Sequence, residues 1–209
     1  MLREYLDACI VAGLVALLLI TFVVRTFYIP SISMIPTLAV HDVLLVNELE
    51  YRIHEPRDGD IAVFTPPVPS SGDAFIKRVM AVPGDTFRIS DGIVYRNGQP
   101  LEEPYENQPP RYDLEVRNYG IYVDGLPLDR DLANIPPRSM WQAPNRIPSG
   151  FYLMLGDNRN YSDDSHVWGF AQLSGRFAAG PLASHAVQAS FAGRAFMTVW
   201  PLTRLRVLR

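Results

Sequence analysis

Residues 8–24 form a run of seventeen without a single charge, and this run constrains the chain more than any other feature. As a helix it extends about 26 Å at 1.5 Å per residue. That is close to the roughly 30 Å hydrocarbon thickness of a bilayer. Arg25 breaks the run, and Thr26, Phe27, Tyr28 and Ile29 prolong it. A long arginine can snorkel towards headgroups, and aromatic residues suit the interface. A core helix would show a polar face, and none is present. A cleaved secretory leader would need small residues after the run. Here bulky Phe27, Tyr28 and Ile29 follow, so the run reads as an uncleaved transmembrane anchor. Arg3 and Arg25 flank it on opposite sides, so charge alone does not orient it.

Beyond Pro30 the texture becomes that of a mainly β, antiparallel domain. Short β-rich runs occur at residues 43–46, 61–64, 75–82, 86–89, 151–155 and 196–199, punctuated by Gly, Pro, Asn and Asp. The 18 prolines suit loops and edge strands better than helices. Residues 94–102 recur 27 positions later as residues 121–129, with Asn97-Gly98 answering Asp124-Gly125. Both dipeptides favour two-residue hairpins. The expected organisation is an anchor helix at 1–29, a catalytic β region at 30–95 and 147–209, and an inserted hairpin subdomain at 96–146. Residues 178–191 are Ala-rich and ambiguous.

Composition narrows the function classes. A net charge of −3 supplies no basic field for a phosphate backbone, so nucleic acid is not an expected partner. One cysteine, Cys9, excludes an internal disulfide and a Cys/His zinc cage. Of the 19 basic residues 18 are Arg, and one, Lys77, is Lys. Arg cannot lose its proton in a protein, whereas a desolvated Lys can. A codon bias explains the arginines but not the surviving lysine.

Three stretches carry the chemistry. They are Pro30-Ser31-Ile32-Ser33-Met34-Ile35-Pro36-Thr37-Leu38, then Phe75-Ile76-Lys77-Arg78-Val79-Met80-Ala81-Val82-Pro83-Gly84-Asp85, then Gly156-Asp157-Asn158-Arg159-Asn160-Tyr161-Ser162-Asp163-Asp164-Ser165. With Arg57-Asp58-Gly59-Asp60-Ile61-Ala62-Val63-Phe64 and Trp200-Pro201-Leu202-Thr203-Arg204, in this order after an apolar run, they closely resemble the type I signal peptidases of bacteria. Those are membrane-anchored serine endopeptidases with a Ser/Lys dyad. The resemblance implies Ser33 as nucleophile and Lys77 as general base. Ser31 and the Ser33 amide would hold the oxyanion, and Ser162 would orient the lysine amine. Arg78, Asp157, Arg159 and Asp164 would support the site. It further implies cleavage of exported preproteins after small residues in an Ala-x-Ala-like pattern, on the extracytoplasmic side of the cell membrane. A single-pass chain working as a monomer beside the lipid bilayer is expected, with no metal, nucleotide or redox cofactor.

The residues support this chemistry on their own terms. A serine hydroxyl needs a base to become a nucleophile, and Lys can replace His in that role. Burial among apolar groups lowers a lysine pKa. Strand alternation sets Phe75, Lys77 and Val79 on one face and Ile76 and Arg78 on the other. Ser33 lies nine residues after Val24, near the membrane surface. Two features depart from the family. His166 stands where Arg is usual, which would make a pairing with Asp164 depend on histidine protonation. Residues 171–192 separate two segments that the family keeps close, and a surface loop or short helix is expected there. Rival readings are a single-pass protein with a non-catalytic β-rich binding domain, and a narrow-client peptidase of the same kind. A Ser/His/Asp triad drawn from His41, His54, His166 or His185 also stays open. The Ser-x-x-Lys arrangement of penicillin-binding enzymes fails, because Pro36 follows Ser33 at that spacing.

Overall fold

The computed structural model describes residues 2–67, 74–130, 132–173 and 191–208. An N-terminal helix α1 (Leu2–Val23) covers most of the apolar run. It does not reach residue 29. The chain continues as strand β1 (Val24–Tyr28), paired with β2 (Val43–Asn47) so that Val24 faces Asn47 and Tyr28 faces Val43. β-Branched and aromatic residues dominate β1 and favour the pleat over another helical turn. Among the described residues no helix is long and apolar enough to cross a membrane.

A short α2 (Glu50–Ile53) leads to β3 (Ile61–Phe64) and β4 (Phe75–Ala81). Six brief strands follow: β5 (Phe87–Ser90), β6 (Ile93–Arg96), β7 (Gln99–Pro100), β8 (Leu114–Arg117), β9 (Gly120–Val123) and β10 (Leu126–Pro127). The chain returns as β11 (Phe151–Leu155), turns through α3 (Ser165–Trp168), and ends in β12 (Ala171–Gln172), β13 (Phe191–Trp200) and β14 (Arg206–Val207). The main sheet runs β1-β2-β13-β3-β4-β11-β12, with β14 on β13. Its pairings are antiparallel.

Alternation builds the core on both faces of this sheet. In β3, Ala62 and Phe64 enter a cluster with Val79, Tyr152, Met154 and Trp168. Ile61 and Val63 enter another with Leu38, Leu44, Val46 and Ala195. Phe75 and Val79 of β4 belong to the first cluster and Ile76 to the second, as a period of two requires. β3 and β11 are sandwiched in this way, which is why they read as unbroken apolar runs, while β4 is interrupted by the site residues Lys77 and Arg78.

The second sheet has the order β10-β9-β8-β5-β6-β7, symmetric about the β5/β8 pair. The internal repeat is the sequence trace of that symmetry. Both expected hairpin turns form, with Asn97 (φ 52°) and Gly98 (φ 77°) in one and Asp124 (φ 50°) and Gly125 (φ 79°) in the other. These positive φ values are what type I′ turns demand. This sheet starts at Phe87, because β5 pairs with β8 and joins the preceding hairpin to it. One face packs Phe87, Ile89, Val94, Leu114, Val116 and Ile121 against Phe151, Leu153 and Leu155 of β11.

The surface loop or short helix expected over residues 171–192 is corrected at both ends. Ala171 and Gln172 pair with Tyr152 and Phe151, and Phe191 already pairs with Phe64. Backbone pairing to buried strands overrides the weak propensity of these Ala-rich ends. The Ala-rich stretch from 178 lies outside the described residues up to Phe191, where β13 begins.

Candidate active site

The Ser33 turn sits between β1 and β2. Ile35 N donates to Ile32 O at 3.1 Å and Leu38 N to Met34 O at 2.8 Å. Met34 and Leu38 are fully buried and pin the turn to the core. Across from it, β4 is fixed on both edges, Ala62 opposing Lys77 and Leu155 opposing Arg78. Neither Ser33 nor Lys77 can drift without dragging core strands along.

Lys77 Nζ donates to Ser33 Oγ at 3.0 Å. Lys77 is only 4% exposed, and the Phe75 ring lies 5.2 Å from its amine. Burial pushes the amine below the ordinary lysine range, opposed by the negative charges of Asp164, Asp163 and Asp157. With the amine neutral, the same pair lets the hydroxyl donate to nitrogen. Ser31 Oγ lies 3.3 Å from Ser33 Oγ. Among the described residues nothing accepts from the Ser33 N–H. Serine and lysine open together onto a cleft of about 620 Å³ with apolar walls that include Phe27, Ile29, Ile32 and Ile76.

The expected supporting residues form two buried ion pairs and one cap. Arg78 binds Asp157 with two bonds of 2.8 and 2.7 Å, and Thr37 Oγ1 donates to the same carboxylate. Both charges are essentially unexposed, and the bidentate fork is the geometry that makes such a pair strong. Arg159 donates to Glu103 at 2.7 and 3.0 Å and to Gly156 O at 3.0 Å. Asp164 caps α3 and accepts from Gly156 N at 2.9 Å. Its pairing with His166 forms, with Nδ1 at 2.6 Å from Oδ1. His166 also stacks on Tyr112, with ring centroids 4.5 Å apart. Among the described residues no serine hydroxyl joins that Asp/His pair.

Ser162 is brought beside Ser33 but not onto the lysine. Its hydroxyl is buried and makes no hydrogen bond among the described residues. A Cβ placed on Gly156 would overlap both Ser162 Oγ and Ser33 O.

Across residues 2–184 the chain matches the family described as signal peptidase, peptidase S26. The chain belongs to this family. It is thereby a serine peptidase. It is 42% identical over 175 residues to a probable signal peptidase I-1 of Synechocystis, covering 81% of this chain and 75% of the relative. A signal peptidase I of Leptolyngbya laminosa is 38% identical over 191 residues, covering 88% and 73%. A probable signal peptidase I-2 of Synechocystis is 36% identical over 203 residues, covering 95% and 73%.

Several residues of this peptidase escape a reading by motif. Glu103, Tyr105, Asn107 and Tyr112 all touch the loop or the ion pairs just described. These four lie in an irregular stretch with no periodicity. Thr37 stands inside the first motif, but its bond to Asp157 shows only in three dimensions. Asn158 stands inside a motif, yet its part only becomes visible in three dimensions. Its side chain donates to Ile32 O and its backbone N–H to Ser33 O, each at 3.0 Å. Tyr161 and Asp163 line the cleft.

Proposed function

We propose that this chain removes signal peptides from exported preproteins by a Ser/Lys acyl-enzyme mechanism, cutting after small residues in an Ala-x-Ala-like pattern. The observation that carries the reading is the 3.0 Å contact between Lys77 Nζ and Ser33 Oγ in a buried setting that favours a neutral amine. Ser33 Oγ attacks the scissile carbonyl while its proton passes to Lys77 Nζ. The Ser33 N–H and the Ser31 hydroxyl stabilise the oxyanion, each such donor being worth roughly 3–4 kcal/mol of barrier. Lys77 then protonates the departing amine, leaving an ester on Ser33. The regenerated amine takes a proton from water, which attacks the ester and frees the new carboxyl end. Ser162, with a hydroxyl not otherwise engaged, turns to the amine and orients it. Arg78, Asp157, Arg159 and Asp164 hold the frame.

Substrate and location follow from the surroundings. The relatives are named signal peptidases, and the exposed apolar side chains of α1 support a membrane anchor here. Its side chains Ile10, Val11, Leu14 and Val15 are all more than half exposed. Such a surface is stable in lipid and costly in water. The chain is then a single-pass membrane protein acting as a monomer, with residues 30–209 on the extracytoplasmic face and the second sheet as an inserted subdomain. The preference for small residues is part of this proposal, with the apolar cleft beside Ser33 and Lys77 as the place where the substrate segment would lie. The test is cleavage of a preprotein in membranes by wild type, Ser33→Ala and Lys77→Arg. Loss of product in both variants is expected, and normal processing by either would overturn the mechanism.

A further inference from the structure

The irregular stretch from Glu103 to Tyr112 touches the catalytic loop along its whole length. Glu103 takes the Arg159 guanidinium. The Tyr105 ring lies 3.7 Å under Arg78. Asn107 N donates to Asp157 O, and Asn107 Nδ2 to Asn158 Oδ1, both at 3.1 Å. Asn160 Nδ2 donates to Pro109 O at 3.0 Å, and Arg111 N to Asn160 Oδ1 at 2.8 Å. Tyr112 stacks on His166. This stretch joins β7 to β8 of the second sheet, so that sheet grips the loop that carries Asp157, Arg159 and Asp164.

Within that strap one side chain is connected to the nucleophile by an unbroken chain of amides. Asn107 Nδ2 donates to Asn158 Oδ1. The Nδ2 of the same Asn158 amide donates to Ile32 O, and its backbone N–H to Ser33 O. An amide has one carbonyl and one NH2, so fixing the carbonyl fixes where the NH2 points. Asn107 therefore sets the rotamer with which the Asn158 side chain holds Ile32 O, the carbonyl of the peptide group that contains the Ser33 N–H, while the Asn158 backbone holds Ser33 O on the far side of the Ser33 Cα. The orientation of the Ser33 N–H follows the plane of that first peptide group.

We infer that Asn107 is a positioning residue for the oxyanion site, acting through Asn158 on the Ser33 turn. The inference rests on Ser33 being the nucleophile. A donor aimed at developing charge contributes mainly in the transition state, so its misalignment lowers kcat and leaves KM nearly unchanged. A full ångström of misplacement costs about a hundredfold, and a tilted peptide plane should cost roughly tenfold.

The experiment measures steady-state cleavage of an Ala-x-Ala peptide by the full chain in detergent, as wild type, Ser33→Ala, Asn107→Ala, Asn107→Asp, Asn158→Ala and the 107/158 double variant. Asn107→Asp keeps shape and the backbone bond to Asp157 but cannot donate to Asn158 Oδ1. Expected are roughly tenfold losses of kcat in both Asn107 variants, KM within about twofold, and an unshifted acid limb of the pH profile for Asn107→Ala. The double variant should lose little more than Asn158→Ala alone, because the two act in series. Wild-type kcat in both Asn107 variants, a loss that only tracks a lower Tm, a shifted acid limb, or full additivity would overturn the inference. Cleavage by Ser33→Ala would instead overturn the underlying mechanism, so the two failures are told apart.

Discussion

At the scale of single residues the decisive quantity is the proton on Lys77. Its folded pKa is lowered by burial, so between that value and the unfolded lysine value the unfolded chain binds a proton that the folded chain does not. Stability therefore rises with pH across this window. Lys77→Met should raise Tm at neutral pH, and the gap to wild type should close as pH approaches the unfolded lysine value, near 10.4. A variant that melts like wild type at pH 7 would mean that the amine carries no desolvation cost. The proposed mechanism needs the neutral amine, so activity should fall as pH drops through the folded value. Asp163 opposes the lowering from the cleft wall. Asp163→Asn should move the acid limb of the rate profile to lower pH, and a limb that moves upward would contradict this. The Arg78–Asp157 pair is the other residue-scale commitment. Removing one partner of a buried pair costs about 3–5 kcal/mol, so Arg78→Met should lower stability by that order in denaturant melts. Lys77 was legible in the sequence because it stands alone among arginines. Asn107 was not, since nothing local distinguishes it from any polar loop residue.

Among elements, what could be read followed from local rules. The strands at 61–64 and 151–155 emerge as written because both faces are buried and no polar residue interrupts them. Turns with Asn-Gly and Asp-Gly announce themselves. The β8–β9 turn does not, for it uses Asn118 and Tyr119 at positive φ, and Tyr is an unusual choice there. β13 was truncated in the reading, since Ala192, Gly193 and Ala195 have little strand propensity. Gly193 is there because Asn47 O of the neighbouring strand comes too close for any Cβ. Gly156 follows the same logic at the site, where β11 gives way to the catalytic loop. Gly156→Ala should push the Ser33 turn off the loop and abolish cleavage, because the obstruction includes the rigid Ser33 carbonyl. Cleavage within twofold of wild type would show that the turn can yield.

On the scale of the whole molecule, two sheets share one apolar layer through β11, and the strap from the second sheet reaches back to the site carried by the first. The sequence predicted an insertion but not its purpose, because the contacts that tie it to the loop span tens of residues and leave no periodic trace. The membrane end obeys a simpler constraint. α1 hands over to β1 at Val24, so the sheet begins where the helix stops, and on the proposed anchoring Ser33 lies near the headgroups. On the proposed anchoring α1 is the segment held in the bilayer, although over its described residues it does not by itself meet the length and apolarity of a spanning helix. Leu14 sits near its middle and is exposed. An Arg at the centre of a spanning helix costs roughly 2.5–3.5 kcal/mol on insertion scales. Full-length wild type should stay in the membrane pellet after alkaline carbonate extraction, and Leu14→Arg should move a large part of the chain to the supernatant. Because the catalytic residues are untouched, the extracted variant should still cleave peptide in detergent while processing membrane-bound preprotein more slowly. Equal pelleting of the two forms would mean that α1 is not what holds this chain to the bilayer.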